Sequence, residues 1–408
     1  MEKLSRFLAL EGNIRVLAVQ TLLSQIGLGM FYVIWQPYLL STGMNLTQLG
    51  LVQTIINLST GIGLFLWGYV SDSYGRKPVI ITTIICRIIA ILILLYSDAF
   101  WAFIGFGALM GLTAMFNMAN PARSAMITES VDSPRRATAM STVITIAQGT
   151  STLVAILGGY IAIKMGYTPI FYLMVIGDTI GALICYRYLK ETLQPNKDSE
   201  NISITERLRH SFAPEQQLRR FYIAYIIMGF SYTVAYSLLY GALTEKFGFT
   251  TVQLGYLTMA FNLMWAVDSL PLGKIVDRIG RKKGILLSNI MAIITPIGFL
   301  FADRIELFMI FYSISALDIG FWIPSYTSYI TETVKQEKRS TVFGKLDAYG
   351  KMSGIPGAWI AGLLYENYGF YAPQYVQIVA VFLVVLMLSG LKEPEKSITL
   401  TIPLKRST

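Results

Sequence analysis

Apolar stretches of about twenty residues recur along the whole length of this chain, as between Val79 and Tyr96 and between Tyr371 and Leu391. A helix of that length crosses the roughly 30 Å hydrocarbon layer of a bilayer. In lipid only helices and closed barrels satisfy their own backbone hydrogen bonds, and these stretches lack the alternation of a barrel strand. The sequence therefore reads as an all-α integral membrane protein. Of its 408 residues only 14% are charged, against about 25% in a water-soluble protein of this size.

The net charge of +9 suggests nucleic acid at first sight. The charges, however, sit in short loops between apolar stretches, where the membrane rule for cytoplasmic Lys and Arg explains them better. No nucleic-acid partner is expected. Cys86 and Cys185 fall inside spans and read as small packing residues. His210 is the single histidine, so no metal-ligand cluster is expected. No phosphate-binding loop of the P-loop type occurs, which argues against ATP-driven pumping, and no cofactor is expected. The polar stretch from Met1 to Arg15 lacks a cleavable signal pattern.

Twelve spans are expected, at about 14–40, 47–71, 77–96, 99–127, 137–163, 168–190, 219–246, 250–276, 283–302, 304–333, 341–367 and 371–391. This divides the chain into an N-terminal six-helix bundle (1–190), a cytoplasmic linker (191–218), a C-terminal six-helix bundle (219–396) and a cytoplasmic tail (397–408). The linker holds an amphipathic stretch around Ile204 to Phe212, expected to lie on the membrane surface, and a sequon at Asn201 expected to stay unglycosylated. One set of loops has Lys164, Lys246 and Arg304 as its only bases. The opposite set carries clusters such as Arg135 with Arg136, and Arg281 with Lys282 and Lys283. That asymmetry places both termini and the linker in the cytoplasm of a multi-pass cell-membrane protein.

The halves repeat one another. Gln48-Leu49-Gly50 and Asn57-Leu58 recur 205 residues later as Gln253-Leu254-Gly255 and Asn262-Leu263. At the same offset Gly68, Asp72, Gly75, Arg76 and Lys77 recur as Gly273, Asp277, Gly280, Arg281 and Lys282. At an offset of 203, Pro121, Ile127-Thr128-Glu129, Val131, Arg136, Thr138 and Gly166 match Pro324, Ile330-Thr331-Glu332, Val334, Arg339, Thr341 and Gly369. Six is even, so both copies enter the membrane in the same direction, and a two-fold axis along the membrane normal can relate them.

The loop Gly68-Tyr69-Val70-Ser71-Asp72-Ser73-Tyr74-Gly75-Arg76-Lys77 resembles the signature cytoplasmic loop of the major facilitator superfamily. Its echo from Gly273 to Lys282 lies where that family places a second copy. The resemblance covers the whole chain. It implies twelve transmembrane helices in two pseudo-symmetric six-helix bundles, alternating access, and loop charges that latch the halves when the cytoplasmic side is closed.

Physical reasoning gives those loop residues matching roles. Gly68 and Gly273 allow close helix approach. Asp72 and Asp277 can cap a facing helix N-terminus. Arg76 and Arg281 can form forked pairs with Glu129 and Glu332. Arg136 and Arg339, matched by the repeat, are counted with this gate. The alternative is that the bases enforce topology and bind anionic headgroups, the reading favoured for Lys77, Lys282 and Lys283.

The resemblance also implies that spans one, four, seven and ten line a pathway. Gln25, Gly29, Tyr32 and Gln36 share one stripe of span one; Thr113, Asn117, Asn120 and Ser124 share one in span four. Span seven offers Tyr225, Gly229, Tyr232, Tyr236 and Tyr240; span ten offers Ser315, Asp318, Trp322, Ser325 and Tyr329. Polar side chains facing lipid are costly, so the stripes should point inward, either to a solute or to each other. The residues expected to bind solute are Gln25, Tyr32, Gln36, Asn117, Asn120, Tyr232, Tyr236, Asp318 and Trp322. Such a cavity suits a small polar or amphipathic organic molecule.

Within the spans, Arg87 is expected to pair with Asp178, and Asp347 with Lys351 four residues on. Asp268 and Asp318 remain without an obvious base. A carboxylate in a low-dielectric site can exchange a proton at physiological pH. Asp318 is the first candidate for coupling, on the expectation that it faces the cavity, and Asp268 the second; the alternative for Asp318 is a structural hydrogen-bonded group.

The sequence therefore points to a secondary transporter of a small organic solute rather than an enzyme, acting as a monomer in a lipid bilayer, with protons as a candidate coupling partner. A proton-coupled exporter of amphipathic compounds is the alternative. Against it, Val154 and Ala155 replace the Gly-Pro of the exporters' span-five pattern, and their Arg-x-x-Gln-Gly pattern is absent from span four despite Arg123. A membrane sensor that binds without transporting would want a large signalling domain, and none is present.

Overall fold

The computed structural model describes residues 8–113, 120–132, 135–193, 215–335 and 338–393. The linker's amphipathic stretch, Asn201, His210 and Asn117 lie outside them. Nine described helices are long and apolar enough to cross a membrane. In chain order the crossings are Gly12–Ser41 (span one), Leu46–Tyr74 (two), Arg76–Tyr96 (three), Phe100–Leu112 with Pro121–Glu129 (four), Arg136–Met165 (five) and Thr168–Tyr188 (six). They continue as Arg219–Tyr236 with Leu239–Phe247 (seven), Thr251–Ile279 (eight), Arg281–Phe301 (nine), Ile305–Thr333 (ten), Arg339–Gly354 with Gly357–Tyr368 (eleven) and Tyr371–Ser389 (twelve). Twelve transmembrane helices thus form two pseudo-symmetric six-helix bundles. Span eleven, which carries Lys345, Asp347 and Lys351, is too polar to announce itself by hydropathy.

The repeat has local causes. Gln48 and Gln253 recur because each completes a capping box: Gln48 N–H donates to Asn45 Oδ1 at 2.8 Å, and Gln253 plays the same part with Thr250. Gly75 and Gly280 recur because the turns into spans three and nine need φ of +111° and +101°.

Three apolar cores fix how the halves meet. One is shared by both halves and runs from Phe31 and Phe106 to Phe308 and Tyr365. It fills the face opposite the basic loops. At the basic face the core divides in two. One part, around Ile14, Ile80 and Met126, belongs wholly to the N-terminal half; the other, around Phe221, Ile285 and Leu346, to the C-terminal half.

The far face closes on four glycines in two-fold related pairs. A Cβ at Gly50 would come within 2.5 Å of the Ala358 carbonyl oxygen, and one at Gly362 within 2.4 Å of that of Leu46. Their counterparts press on the other seam: a Cβ at Gly159 would stand 2.5 Å from Thr251 O, and one at Gly255 2.9 Å from Ile156 Cα. Hydrogen bonds accompany them, from Trp359 N to Thr54 Oγ1 (3.0 Å), Thr251 Oγ1 to Gly159 O (2.9 Å) and Asn262 Nδ2 to Thr152 Oγ1 (3.1 Å). Among the described residues no hydrogen bond, ion pair or ring contact joins the halves at the basic face.

Candidate functional site

Between the halves lies a cavity of two lobes. The first, about 280 Å³, is walled by Tyr32, Trp35 and Gln36 of span one, Gln53, Asn57 and Thr60 of span two, Thr233 and Tyr236 of span seven, and Lys351 and Gly354 of span eleven. The second, about 210 Å³, is walled by Gln25 and Gly29 of span one, Gln148 and Ser151 of span five, and Thr258, Phe261, Asn262 and Trp265 of span eight. Tyr32, Tyr240 and Tyr312 line both lobes, with the Tyr32 and Tyr240 rings edge to face at 5.9 Å. The walls offer aromatic faces, amides and hydroxyls, the chemistry of a site for a small organic molecule.

Gln36 has a second task. Span seven is interrupted after Tyr236, and the Gln36 amide inserts into the break. Its Nε2 donates to Ser237 O and its Oε1 accepts from Gly241 N, both at 2.7 Å. Those two backbone groups stand four residues apart and would bond each other in an unbroken helix. The side chain of one half thus replaces a helix hydrogen bond of the other.

Of the residues expected to bind solute, Gln25, Tyr32, Gln36 and Tyr236 line the cavity; the others described do not. Asn120 caps the helix Pro121–Glu129, accepting from Ala122 N (3.1 Å) and Arg123 N (3.3 Å). Trp322 stacks on Tyr326 with centroids 5.4 Å apart. Asp318 was expected to face the cavity; instead it is buried between spans seven, nine and ten, accepting from Ser288 Oγ at 2.6 Å and from the Tyr232 hydroxyl. Asp268 is 6% exposed and neither of its oxygens has a hydrogen-bond partner among the described residues; Gly320 of span ten packs beside it.

The other buried charges sort themselves. Arg87 Nε and Nη2 grip Asp178 at 2.7 and 2.6 Å, as expected, and Ser24 Oγ donates to the same carboxylate at 2.5 Å. Arg123 adds a base to the two expected within the spans; it donates to Gln20 Oε1 (2.9 Å), Leu17 O (3.2 Å) and the Thr21 hydroxyl. Asp347 and Lys351, expected to pair, make no ion pair within 4.0 Å but remain close enough to interact electrostatically.

At the basic face the gate charges bind within their own halves. Arg76 pairs with Asp72 and, at 3.1 Å, with Glu129; Arg281 pairs with Asp277 at 3.0 Å and Glu332 at 3.1 Å. Arg136 Nε donates to Thr128 O at 3.0 Å, and Arg339 Nη2 to Thr331 O at 2.5 Å, so each fixes the loop before its helix to the end of the preceding one. Gly68 and Gly273 make no close helix approach: the nearest atom to a Cβ at Gly68 is 3.9 Å away, and none lies within 4 Å of one at Gly273. With the halves parted here, nothing faces them.

Nor do Asp72 and Asp277 cap the helices. Glu191 caps span three, accepting from Arg76 N at 2.9 Å and Lys77 N at 3.0 Å; Glu393 caps span nine, accepting from Arg281 N at 2.5 Å and Lys282 N at 3.0 Å. Burial pushes the Glu191 carboxyl up, but the amides of Leu193, Arg76, Lys77 and Thr192 outweigh it and hold it below the usual carboxylate range. The available signal was the recurrence of Leu189-Lys190-Glu191 as Leu391-Lys392-Glu393.

Known proteins agree with this architecture. The family model for the Major Facilitator Superfamily matches residues 17–220 and again 221–406. The chain is 23% identical over 335 residues to a multidrug resistance protein, MdtG, of Enterobacter lignolyticus, covering 81% of this chain and 79% of that protein. The nucleoside transporter NupG has the same fold, with TM-score 0.75 and 13% identity over 92% of this chain and 97% of its own. So does a bacterial homologue of the iron transporter ferroportin in an inward-facing state, with TM-score 0.73, 13% identity and coverage of 92% and 97%. Repeated halves, paired signature loops and a cavity between the halves all have one explanation: the chain belongs to the Major Facilitator Superfamily and is a secondary transporter that moves a small organic solute across a membrane by alternating access of its two halves.

Proposed function

We propose that the protein sits in the cell membrane with its basic face and both termini in the cytoplasm, and that the arrangement described is its inward-open state. The observation that carries this reading is the division of the apolar core, single at the far face and split in two at the basic face. The solute enters the cavity from the cytoplasm and meets Tyr32, Gln36 and Tyr236. The halves then rock, parting the four-glycine seams and closing the basic face. The Asp72 and Asp277 side chains, paired with Arg76 and Arg281 but 67% and 70% exposed in this state, can exchange those partners for the facing half when that face closes. Gly68 and Gly273 become close-approach points in that second state. Uptake and efflux measured in proteoliposomes with a solute panel, with and without a proton gradient, test the scheme. Transport that Tyr236→Ala leaves untouched for every solute would count against the cavity as the binding site.

Export of amphipathic compounds is a second reading, favoured by the similarity to a protein named for multidrug resistance. For proton coupling, Asp268 now stands ahead of Asp318. It is buried without a partner, while Asp318 is held by Ser288 and Tyr232. A charge without a partner is expensive inside the membrane, so a proton that comes and goes at Asp268 changes the packing of span eight against span ten.

A further inference from the structure

The two lobes are copies of one another, and one position breaks the copy. Gln53 and Asn57 of span two correspond to Thr258 and Asn262 of span eight at the 205-residue offset, and each pair lines its own lobe. Gln148 and Ser151 of span five correspond to Lys351 and Gly354 of span eleven at the 203-residue offset, again lobe for lobe. Three of the four pairs are neutral on both sides. In the fourth, a glutamine of the second lobe stands as a lysine in the first.

Lys351 is exposed to the cavity and has neither a hydrogen bond nor an ion pair among the described residues. Among the described residues no carboxylate lines its lobe. Asp347, one turn earlier on the same helix, interacts with Lys351 electrostatically but stays outside ion-pair distance and does not line the lobe. Asp318 is spent on Ser288 and Tyr232, and Asp268 faces span ten beside Gly320. The Lys351 ammonium has Asp347 within electrostatic reach but no hydrogen-bonded anion in the lobe, so among tyrosine rings and amides it favours a counter-ion bound in the cavity. With the far face closed and the basic face open, a solute arriving from the basic side can bring that counter-ion as its own charge.

We propose that the first lobe is an anion site: it takes a small organic carboxylate, with Lys351 as the counter-ion and the rings of Tyr32, Tyr236 and Tyr312 against its apolar body. This rests on the cavity being the solute site. A lobe of about 280 Å³ lies at the small end of ligand pockets, which run to about 300–1,000 Å³, so a single-ring acid fits better than a large lipophile.

The test compares acids with their uncharged amides: benzoate and phenylacetate against benzamide and phenylacetamide. Binding is measured by calorimetry on the full chain in phosphatidylcholine nanodiscs, and transport by counterflow in proteoliposomes. Wild type should bind the acids and prefer them to the amides. Lys351→Gln, which installs the residue of the twin lobe, should weaken acid binding by about ten- to a hundredfold and leave amide binding as it was. Tyr236→Ala should weaken both classes. Acid binding unchanged in Lys351→Gln, or no saturable acid binding by wild type, overturns the proposal. If amides bind and respond to Tyr236→Ala in either case, the cavity reading survives its failure. If neither class responds to Tyr236→Ala, the cavity reading fails too. Should Lys351 serve only to balance Asp347, the double variant Asp347→Asn with Lys351→Gln would regain wild-type acid binding, which also overturns the anion site. Acid binding abolished in phosphatidylglycerol nanodiscs would assign the ammonium to a lipid headgroup and overturn it likewise.

Discussion

Replacing Gln36 with leucine removes the one side chain that mends span seven across the boundary between the halves. The volume is nearly kept, but Ser237 O and Gly241 N each lose a 2.7 Å hydrogen bond. Gln36 is 5% exposed, so little water reaches these groups while the far face is closed. A buried backbone group without its partner costs about 1–3 kcal/mol. Two such groups cost at least about 2 kcal/mol, a change of about thirtyfold in an equilibrium constant. The cost falls on the far-closed state alone, because in the opposite state the halves part there and water can serve both groups. The Gln36→Leu protein should therefore shift by about thirtyfold towards the state open at the far face. Spin labels on the far ends of spans one and seven should report longer distances, and a pair across the basic face shorter ones. Distance distributions identical to wild type would refute the reasoning. They would mean that span seven straightens and closes the Ser237–Gly241 bond by itself.

Other perturbations read other parts of the scheme. Single cysteines at Lys335 and Thr42 should react with membrane-impermeant reagents from opposite sides of intact cells, Thr42 from outside; outside labelling at Lys335 would reverse the orientation. Asp268→Asn should abolish gradient-driven accumulation and keep solute exchange, and accumulation that persists with its pH dependence would return Asp318 to first place. Gly68→Leu should leave the inward-open state intact, where no atom lies nearer than 3.9 Å to a Cβ, and slow the full cycle by obstructing closure of the basic face; full turnover in this variant would dismiss the glycine. The Glu191 cap is complete above the ordinary glutamate pKa of about 4.3 and is lost as pH falls through its lower folded value. Glu191→Gln should therefore be less stable than wild type at neutral pH and lose less on acidification, as thermal unfolding across pH 3–7 would record; parallel acid limbs would show that the cap contributes nothing.

The fold was legible because lipid leaves so few options. Hydropathy marked most of the crossings, and the repeat supplied the rest and their arrangement, even where spans four, seven and eleven are each formed by two helices. The reasons behind the repeated residues were harder to read. Gly68 and Gly273 looked like contact points, yet contact depends on which face is closed, and a sequence specifies both states at once. Gly50 and Gly255 stood in the same repeat, and they are the glycines that touch here. Likewise Asp72 and Asp277 suggest caps for a facing helix N-terminus, whereas spans three and nine are capped by Glu191 and Glu393 from the ends of spans six and twelve.

The site was half legible for a related reason. A polar stripe on a helix says that the stripe avoids lipid; it does not say whether it meets a solute or another helix. In span ten the stripe meets helices: Asp318 goes to Ser288 and Tyr232, and Trp322 to Tyr326. In span one it meets the cavity, through Gln25, Tyr32 and Gln36. The walls that the stripes missed belong to spans two, five, eight and eleven, which the four-span reading of the pathway left out: Gln53 and Asn57, Gln148, Asn262, Lys351. A comparison of repeat partners singles these out better than periodicity does. Asn57 and Asn262 are preserved as a pair and occupy equivalent places in the two lobes. Gln148 and Lys351 have diverged, and a pseudo-symmetric cavity can distinguish the two ends of an asymmetric solute only where its copies differ.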